Sequence, residues 1–290
     1  MSTSVKIAQK EKCWFITGAS SGFGRVLAEY LLSIGAKVVA TARHVEQLED
    51  LVLRYPGNII ILSLDVTKPE SIDKAVADAI ARVDHIDVLV NNAGYGVAGA
   101  VEEVSDLEFM PMFETNLFGL INMTKALLPQ FRARRYGTIV NISSIGGLIG
   151  SPGWGFYNAT KFAVEGLSQA LSAELAPLGV HVMVVEPGPF RTDFLGRSGK
   201  EAKGHIADYE PTAGKTREYF RTQSGKQPGD PQRAAEAIVA AVSDPHPPRH
   251  LLLGRIALTR LRKHLEEWNA ELNKWQETTV NADFPEGGSS

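Results

Sequence analysis

Cysteine is nearly missing from this 290-residue chain: Cys13 stands alone, so no intrachain disulfide framework can form. It opens an apolar run, where a thiol serves as a small buried hydrophobe rather than a nucleophile. Excess charge is missing too. Lys and Arg number 30 against 33 Asp and Glu, a net of −3, which supplies no basic field for nucleic acid or an anionic membrane. No apolar run approaches the roughly 18 residues of a membrane span. The first dozen residues are polar and lack the apolar core of a secretion signal. A soluble, cytoplasmic chain is expected, with neither nucleic-acid nor membrane partner. The 7 histidines are scattered, H-E-x-x-H does not occur, and Pro247 and Pro248 separate His246 from His250. No metal site is expected on that pattern. The absence of a G-x-S-x-G elbow argues against a serine hydrolase.

What the chain does have is a 44% hydrophobic content, enough for a large core, arranged as short β-rich runs alternating with longer helical patterns. Strands are expected at Cys13–Thr17, Lys37–Thr41, Ile59–Leu64, Val88–Asn91, Thr138–Ile142, Val180–Val185 and His250–Leu253. Helices are expected at Gly24–Ile34, Glu46–Tyr55, Pro69–Val83, Asn116–Arg134, Tyr157–Ala176 and Pro231–Val242. The strands are continuously apolar, so both faces of their sheet should be covered. Regular β-α alternation implies an α/β fold with a doubly wound parallel sheet. No internal repeat and no linker divides the chain. A single domain over 12–279 is expected, behind a polar segment 1–11 and ahead of a disordered tail 280–290.

At the first β-α junction, Gly18, Gly22 and Gly24 follow a strand and open a helix, around Ser20, Ser21 and Phe23. Such a turn lets a pyrophosphate approach the backbone at a helix N-terminus. The spacing is neither G-x-G-x-x-G nor a P-loop. Farther on, Tyr157 and Lys161 stand four apart, and therefore share one helix face. A phenol titrates near ~10, and a neighbouring cation shifts a group by roughly 1–3 units toward its charged form. That brings Tyr157 toward general acid/base work. Ser144 lies thirteen residues upstream, a spacing that favours it over Ser143 as the partner of Tyr157.

T-G-x-x-x-G-x-G at 17–24, N-N-A-G at 91–94, Ser144 and Y-x-x-x-K at 157–161, in this order, resemble the short-chain dehydrogenases/reductases. Asp65-Val66, Pro187-Gly188 and Thr192 extend the resemblance, which runs from about residue 12 to 254. It implies a Rossmann-type domain and a catalytic set of Asn116, Ser144, Tyr157 and Lys161. Tyr157 would be the acid in carbonyl reduction or the base in alcohol oxidation, with Ser144 polarising the carbonyl. Lys161 would lower the pKa of Tyr157 and bind the nicotinamide ribose, and Asn116 would support a proton relay. Asn91 would tie the central strand to the cofactor rim lined by Ala93 and Gly94. Asp65 and Val66 would meet the adenine, and Thr192 the carboxamide. Residue types alone leave Asn116 open as a helix cap and Asp65 as a local Asx turn.

Cofactor choice falls at the end of the second strand. An acid there binds the ribose 2′-hydroxyl of NAD, and a nearby Arg accommodates the 2′-phosphate of NADP. Val39-Ala40-Thr41-Ala42-Arg43 offers no acid and an Arg, so NADP (NADPH) is expected; a solvated Arg43 would instead permit both cofactors. Arg25 either adds positive potential or is a solvated helix residue. A long segment, 189–230, mixes Phe190, Phe194, Tyr209, Tyr219 and Phe220 with polar residues and is expected to act as a substrate lid. The small-molecule substrate is then a hydrophobic carbonyl or alcohol. The alternatives are an NADP-binding sensor or scaffold without turnover, and a cofactor-recycling epimerase or dehydratase. A C-terminal amphipathic helix is expected over Leu258–Thr278, folded over its own domain or against a second subunit. The resemblance implies a homodimer or homotetramer.

Overall fold

Trp14, Phe15 and Ile16 show how the sheet is built, because consecutive side chains enter different cores. Trp14 and Ile16 join one apolar cluster and Phe15 joins the other, all three fully buried. Alternation places successive residues on opposite faces, so an all-apolar strand requires cover on both sides. The computed structural model describes residues 9–284; positions 1–8 of the expected polar segment and 285–290 of the expected tail lie outside it. Its strands are β1 (Cys13–Ile16), β2 (Lys37–Ala42), β3 (Ile59–Ser63), β4 (Val88–Asn91), β5 (Gly96–Ala98), β6 (Gly137–Ile142), β7 (Val180–Pro187), β8 (Gly199–Glu201) and β9 (His250–Leu253). Seven form one parallel sheet in the order β3-β2-β1-β4-β6-β7-β9, and β5 pairs with β8 in a separate two-stranded sheet.

The helices are α1 (Gly22–Ser33), α2 (Glu49–Arg54), α3 (Pro69–Val83), α4 (Asp106–Phe113), α5 (Gly119–Arg134), α6 (Gly155–Leu175), α7 (Lys215–Gln223), α8 (Pro231–Val242) and α9 (Arg255–Val280). On one face of the sheet α1 and α8 pack through Leu27, Leu31, Ile238 and Val239. On the other, α3 and α5 contribute Ile72, Val76, Met123, Leu127 and Phe131. Each fully buried side chain of this size stabilises the fold by roughly 1.5–3 kcal/mol. Helix starts follow their local chemistry: Pro69 and Pro231 sit at first-turn positions, and Asp230 accepts from the Gln232 amide at 2.9 Å. This is a single Rossmann-type domain. From β1 the chain winds one way to β2 and β3, then returns to β4 and winds the other way. A crevice therefore opens at the carboxyl ends of β1 and β4, the ligand position in such sheets.

The apolar pattern does not foresee β5 and β8, which are three residues each and exist only by pairing with one another. Segment 189–230 contains β8 and α7 and is pinned at its neck, where Arg191 N donates to Gly229 O at 2.9 Å and Gly229 N to Pro189 O at 3.1 Å. Deeper, the buried pair Arg217–Glu103 closes at 2.7 Å. Glu103 also accepts from the amides of Ala100 at 2.7 Å and Ile206 at 2.9 Å. Burial pushes the Glu103 carboxyl up, but those amides and Arg217 hold it below its ordinary value. The C-terminal helix is present and longer than expected, yet it does not fold over the domain: Ala257 is its sole buried residue.

Candidate active site

The crevice is a cavity of about 1530 Å³, larger than the ~300–1,000 Å³ of a drug-sized pocket. At one end lies the glycine turn. Gly18 (φ +66°) and Gly22 (φ +56°) adopt left-handed backbone that favours glycine. Gly24 is excluded from side chains for a different reason: a Cβ there would lie 2.4 Å from Asn92 Nδ2 and 2.6 Å from Gly18 O. Asn92 is the latch of this turn. Its Nδ2 donates to Thr17 O at 2.9 Å and Gly18 O at 3.0 Å, while Thr17 Oγ1 accepts from the amides of Asn92 and Ala93.

Gly18, Ser20, Ser21, Gly22, Phe23, Arg43, Asp65, Val66, Ala93 and Gly94 line the cavity, as do Ser144, Tyr157, Lys161, Pro187, Gly188 and Thr192. Gly24, Asn91 and Asn116 do not; they stand behind it. Asn91 Nδ2 donates to Thr124 Oγ1 at 3.0 Å and Asn141 Oδ1 at 2.9 Å, tying β4 to α5 and β6 rather than to the cofactor rim. The cavity residue is its neighbour Asn92, which sequence reasoning passed over although the N-N pair offered both. Asp65 makes an Asx turn and also lines the cavity, its Oδ1 accepting from Thr67 N at 3.1 Å and from Thr67 Oγ1 at 2.7 Å. Burial pushes its carboxyl up, but Thr67, Lys68 and Arg43 hold it below its ordinary value.

Helix α6 delivers the phenol and the ammonium. Trp154 precedes it, and its inward residues Tyr157, Lys161, Val164 and Ser168 recur at helical spacing. Asn158 clamps the preceding loop, donating to Gly146 O at 2.9 Å and accepting from Ser151 N at 2.9 Å. That loop brings Ser144 to Tyr157, near enough for its hydroxyl to act on the phenol. Trp154 and Phe194 flank the phenol ring at 5.4 and 5.5 Å between centroids. Lys161 Nζ donates to Ile142 O at 2.7 Å and lies 5.8 Å from the centre of the Tyr157 ring.

The electrostatics differ from the expectation that Lys161 lowers the phenol. Burial pushes Tyr157 up to about 12, and Ser144 is what opposes it. Burial also pushes Lys161 down to about 8, against the pull of Glu165. Desolvation outweighs the neighbouring cation because both groups are enclosed, Tyr157 being 9% exposed and Lys161 6%. Asn116 sits in a π-helical turn, Glu114–Phe118, between α4 and α5. Its Oδ1 accepts from Tyr95 N at 2.9 Å, and its Nδ2 donates to Tyr95 O at 2.8 Å and Thr160 Oγ1 at 3.2 Å. It thus fastens the Tyr95 loop to α6. It is no helix cap.

Behind Lys161 lies a cluster that the residue pattern did not disclose. His250 Nδ1 is 2.6 Å from Glu186 Oε1 and 3.8 Å from Glu165 Oε2, and one donor atom from each of the three lies within 4.8 Å of the others. The expectation of no metal site rested on spacing along the chain, which does not report that these residues, from α6, β7 and β9, meet in the fold. Burial pushes Glu165 up to about 7, with Glu186 adding to it and Ser143, His250 and Lys161 opposing. Glu186 is pushed up to about 8 by burial, against its own amide and that of Leu251.

The glycine turn, the strand crevice and the enclosed Ser144, Tyr157 and Lys161 share one cavity of a Rossmann-type fold. Residues 12–203 match the short chain dehydrogenase family, and the chain belongs to that family of oxidoreductases. It is 37% identical over 270 residues to the oxidoreductase BOA17 of Botryotinia fuckeliana, covering 93% of this chain and 98% of that protein. It is 39% identical over 240 residues to the 3-ketodihydrosphingosine reductase of Bacteroides thetaiotaomicron, covering 82% and 86%. A solved short-chain dehydrogenase from Streptomyces avermitilis superposes with a TM-score of 0.88 at 44% identity, covering 94% of this chain and 100% of that one. Other solved members, at 29% and 27% identity, are complexes with NADH and with NADP.

Proposed function

We propose that this chain is an NADPH-dependent reductase of a hydrophobic ketone or aldehyde, with Tyr157 as the general acid. The observation that carries the proposal is the meeting of Ser144, Tyr157 and Lys161 in the cavity that begins at the glycine turn. The residues fit a dinucleotide: left-handed glycines open the turn to phosphates, and Gly24 leaves no side chain in the way of the latch. Gly18 to Phe23 would hold the pyrophosphate, Asp65 and Val66 the adenine, and Lys161, Pro187, Gly188 and Thr192 the nicotinamide end. Bound there, the nicotinamide supplies a hydride.

The phenol supplies a proton to the carbonyl oxygen that Ser144 orients. A phenol pushed up to about 12 is neutral at pH 7, which is the acid form that reduction needs. Trp154 and Phe194 beside the ring give an apolar bed for the substrate, and segment 189–230 serves as the lid that excludes water. Arg43 supports NADP over NAD. Arg25 is committed to Glu29 at 2.8 Å and to Asp50, whereas Arg43 lines the cavity and enters no ion pair among the described residues. A cytoplasmic homo-oligomer fits the unpaired Cys13 and the exposed apolar stripe on α9.

The test is NADPH oxidation across a panel of hydrophobic ketones and aldehydes, with NADH in parallel and Tyr157→Phe as control. Turnover with NADPH that falls by at least ~100-fold in the variant, the scale of general acid/base catalysis, is the expected result. Equal rates with NADH would overturn the Arg43 assignment. Tight NADPH binding without turnover of any member would favour a sensor.

A further inference from the structure

Helix α9 is 26 residues long, about 39 Å at 1.5 Å per residue, and its buried residue and its hydrogen bond to the domain both lie in the first two turns. Ala257 packs near Gly188, and Arg260 Nη2 donates to Ser151 Oγ at 2.9 Å. Beyond that point the helix stands in solvent with large apolar groups uncovered: Leu265, Trp268, Leu272 and Trp275 are between 50% and 56% exposed. An isolated helix is marginal in water, and two half-exposed tryptophans on one stripe are costly to leave wet. The stripe Leu258, Leu261, Leu265, Trp268, Leu272, Trp275 advances by 3, 4, 3, 4 and 3 residues, the a/d seam of a helix pair.

We propose that this seam is the interface with a second copy of the chain, the two α9 helices packing antiparallel about a two-fold axis. The seam is complementary to itself in one register. Centred between Glu266 and Glu267, antiparallel pairing sets Leu258 against the partner's Trp275, Leu261 against the partner's Leu272, and Leu265 against the partner's Trp268. Every layer then matches a small knob with a large one or Leu with Leu, and the two-fold repeats each contact, as an isologous interface demands.

Charge selects the same direction. Residues 255–264 carry Arg255, Arg260, Arg262 and Lys263 and no acid, while 265–280 carry Glu266, Glu267, Glu271 and Glu277 against Lys274 alone. Antiparallel packing lays each basic half along an acidic half and places His264 beside the partner's Glu271; parallel packing stacks like on like. Half the girth of an ~11 Å cylinder over ~39 Å is roughly 700 Å², close to the ~800 Å² per partner of a standard interface. The acidic half argues against an anionic lipid surface, which attracts basic polar faces.

The test uses the full chain. Light scattering gives the assembly mass for wild type and for Leu265→Asp/Trp268→Asp, and cooperative unfolding of the variant confirms that the body remains folded. The double variant is expected to halve the assembly mass, down to the 31.5 kDa monomer if the wild type is a dimer. A spin label at Thr278→Cys reads the direction: antiparallel register separates the two labels by about 35 Å along the axis, whereas parallel helices bring them within about 20 Å. Native Cys13 is buried and pushed up to about 12 by that burial, so it does not compete for label. A monomeric wild type, a mass unchanged by the double variant, or the short label distance would overturn the proposal. So would a monomer that sediments with phosphatidylcholine vesicles through this seam.

Discussion

Replacing Asn116 by alanine tests whether this residue is a tether or a station in proton traffic. The side chain is 1% exposed and makes three hydrogen bonds, two to the backbone of Tyr95 and one to Thr160 Oγ1. Alanine removes all three and strands an amide and a carbonyl of Tyr95 where little water reaches. At about 1 kcal/mol per bond the loss comes to about 3 kcal/mol. A further cost arises for any stranded group that stays dry. The helix itself should tolerate alanine, the best helix former, so the loss reports the tether alone. Urea unfolding of both proteins, with equal m-values, measures it. Turnover should fall in step, because Tyr95 lines the cavity and Thr160 lies one residue before Lys161. Stability within ~0.5 kcal/mol of wild type, the range of a neutral surface substitution, accompanied by lost turnover, would refute the tether and return Asn116 to a proton relay.

Two other outcomes follow from packing and burial. Gly24→Ala sets a Cβ 2.6 Å from Gly18 O and 2.4 Å from Asn92 Nδ2; the glycine turn must shift, and dinucleotide affinity read by fluorescence titration should drop at least ~10-fold, about 1.4 kcal/mol, with unaltered affinity counting against the latch. Glu186, pushed up to about 8, and Glu165, pushed up to about 7, bind protons more tightly folded than unfolded. Their contribution to stability is therefore complete below the ordinary carboxylate range and is lost as pH rises through 7 to 8. Glu186→Gln should flatten that decline in chemical unfolding between pH 5 and 8, and a slope as steep as wild type would remove Glu186 as its source.

Much of the scaffold was legible in the residues because its causes are local. Continuous apolar runs such as Val88–Val90 admit few readings other than a strand buried on both faces, and Gly18, Gly22, Tyr157 and Lys161 announce themselves by type and spacing. What escaped depends on contacts distant in sequence. Strands β5 and β8 are too short to carry a pattern and are held by each other. Asn91 and Asn92 are identical in type, and the side to which each turns is set by the strand pleat and by Thr17. The Glu165, Glu186 and His250 cluster joins three elements. The amphipathic stripe of α9 was visible, but periodicity says which face is apolar and not what covers it.

The buried pair of Arg217 and Glu103 has a kinetic consequence. Swinging segment 189–230 away from the body as one unit would separate the two charges and strip the Ile206 amide from the carboxylate. Hydrogen bonds to a charged group are worth about 1.5–3 kcal/mol each, so losing these two bonds costs about 3–6 kcal/mol. At about 1.4 kcal/mol per tenfold, the open form would occupy less than roughly one molecule in a hundred. Exchange of small molecules through wholesale opening would be throttled by that scarcity. Traffic is therefore left to the rim, where the exposed side chains of Lys200 and Tyr219 line the same cavity and reorient on picosecond to nanosecond timescales. Selectivity at the entrance then depends on the size and charge of those few groups, more than on any hinge.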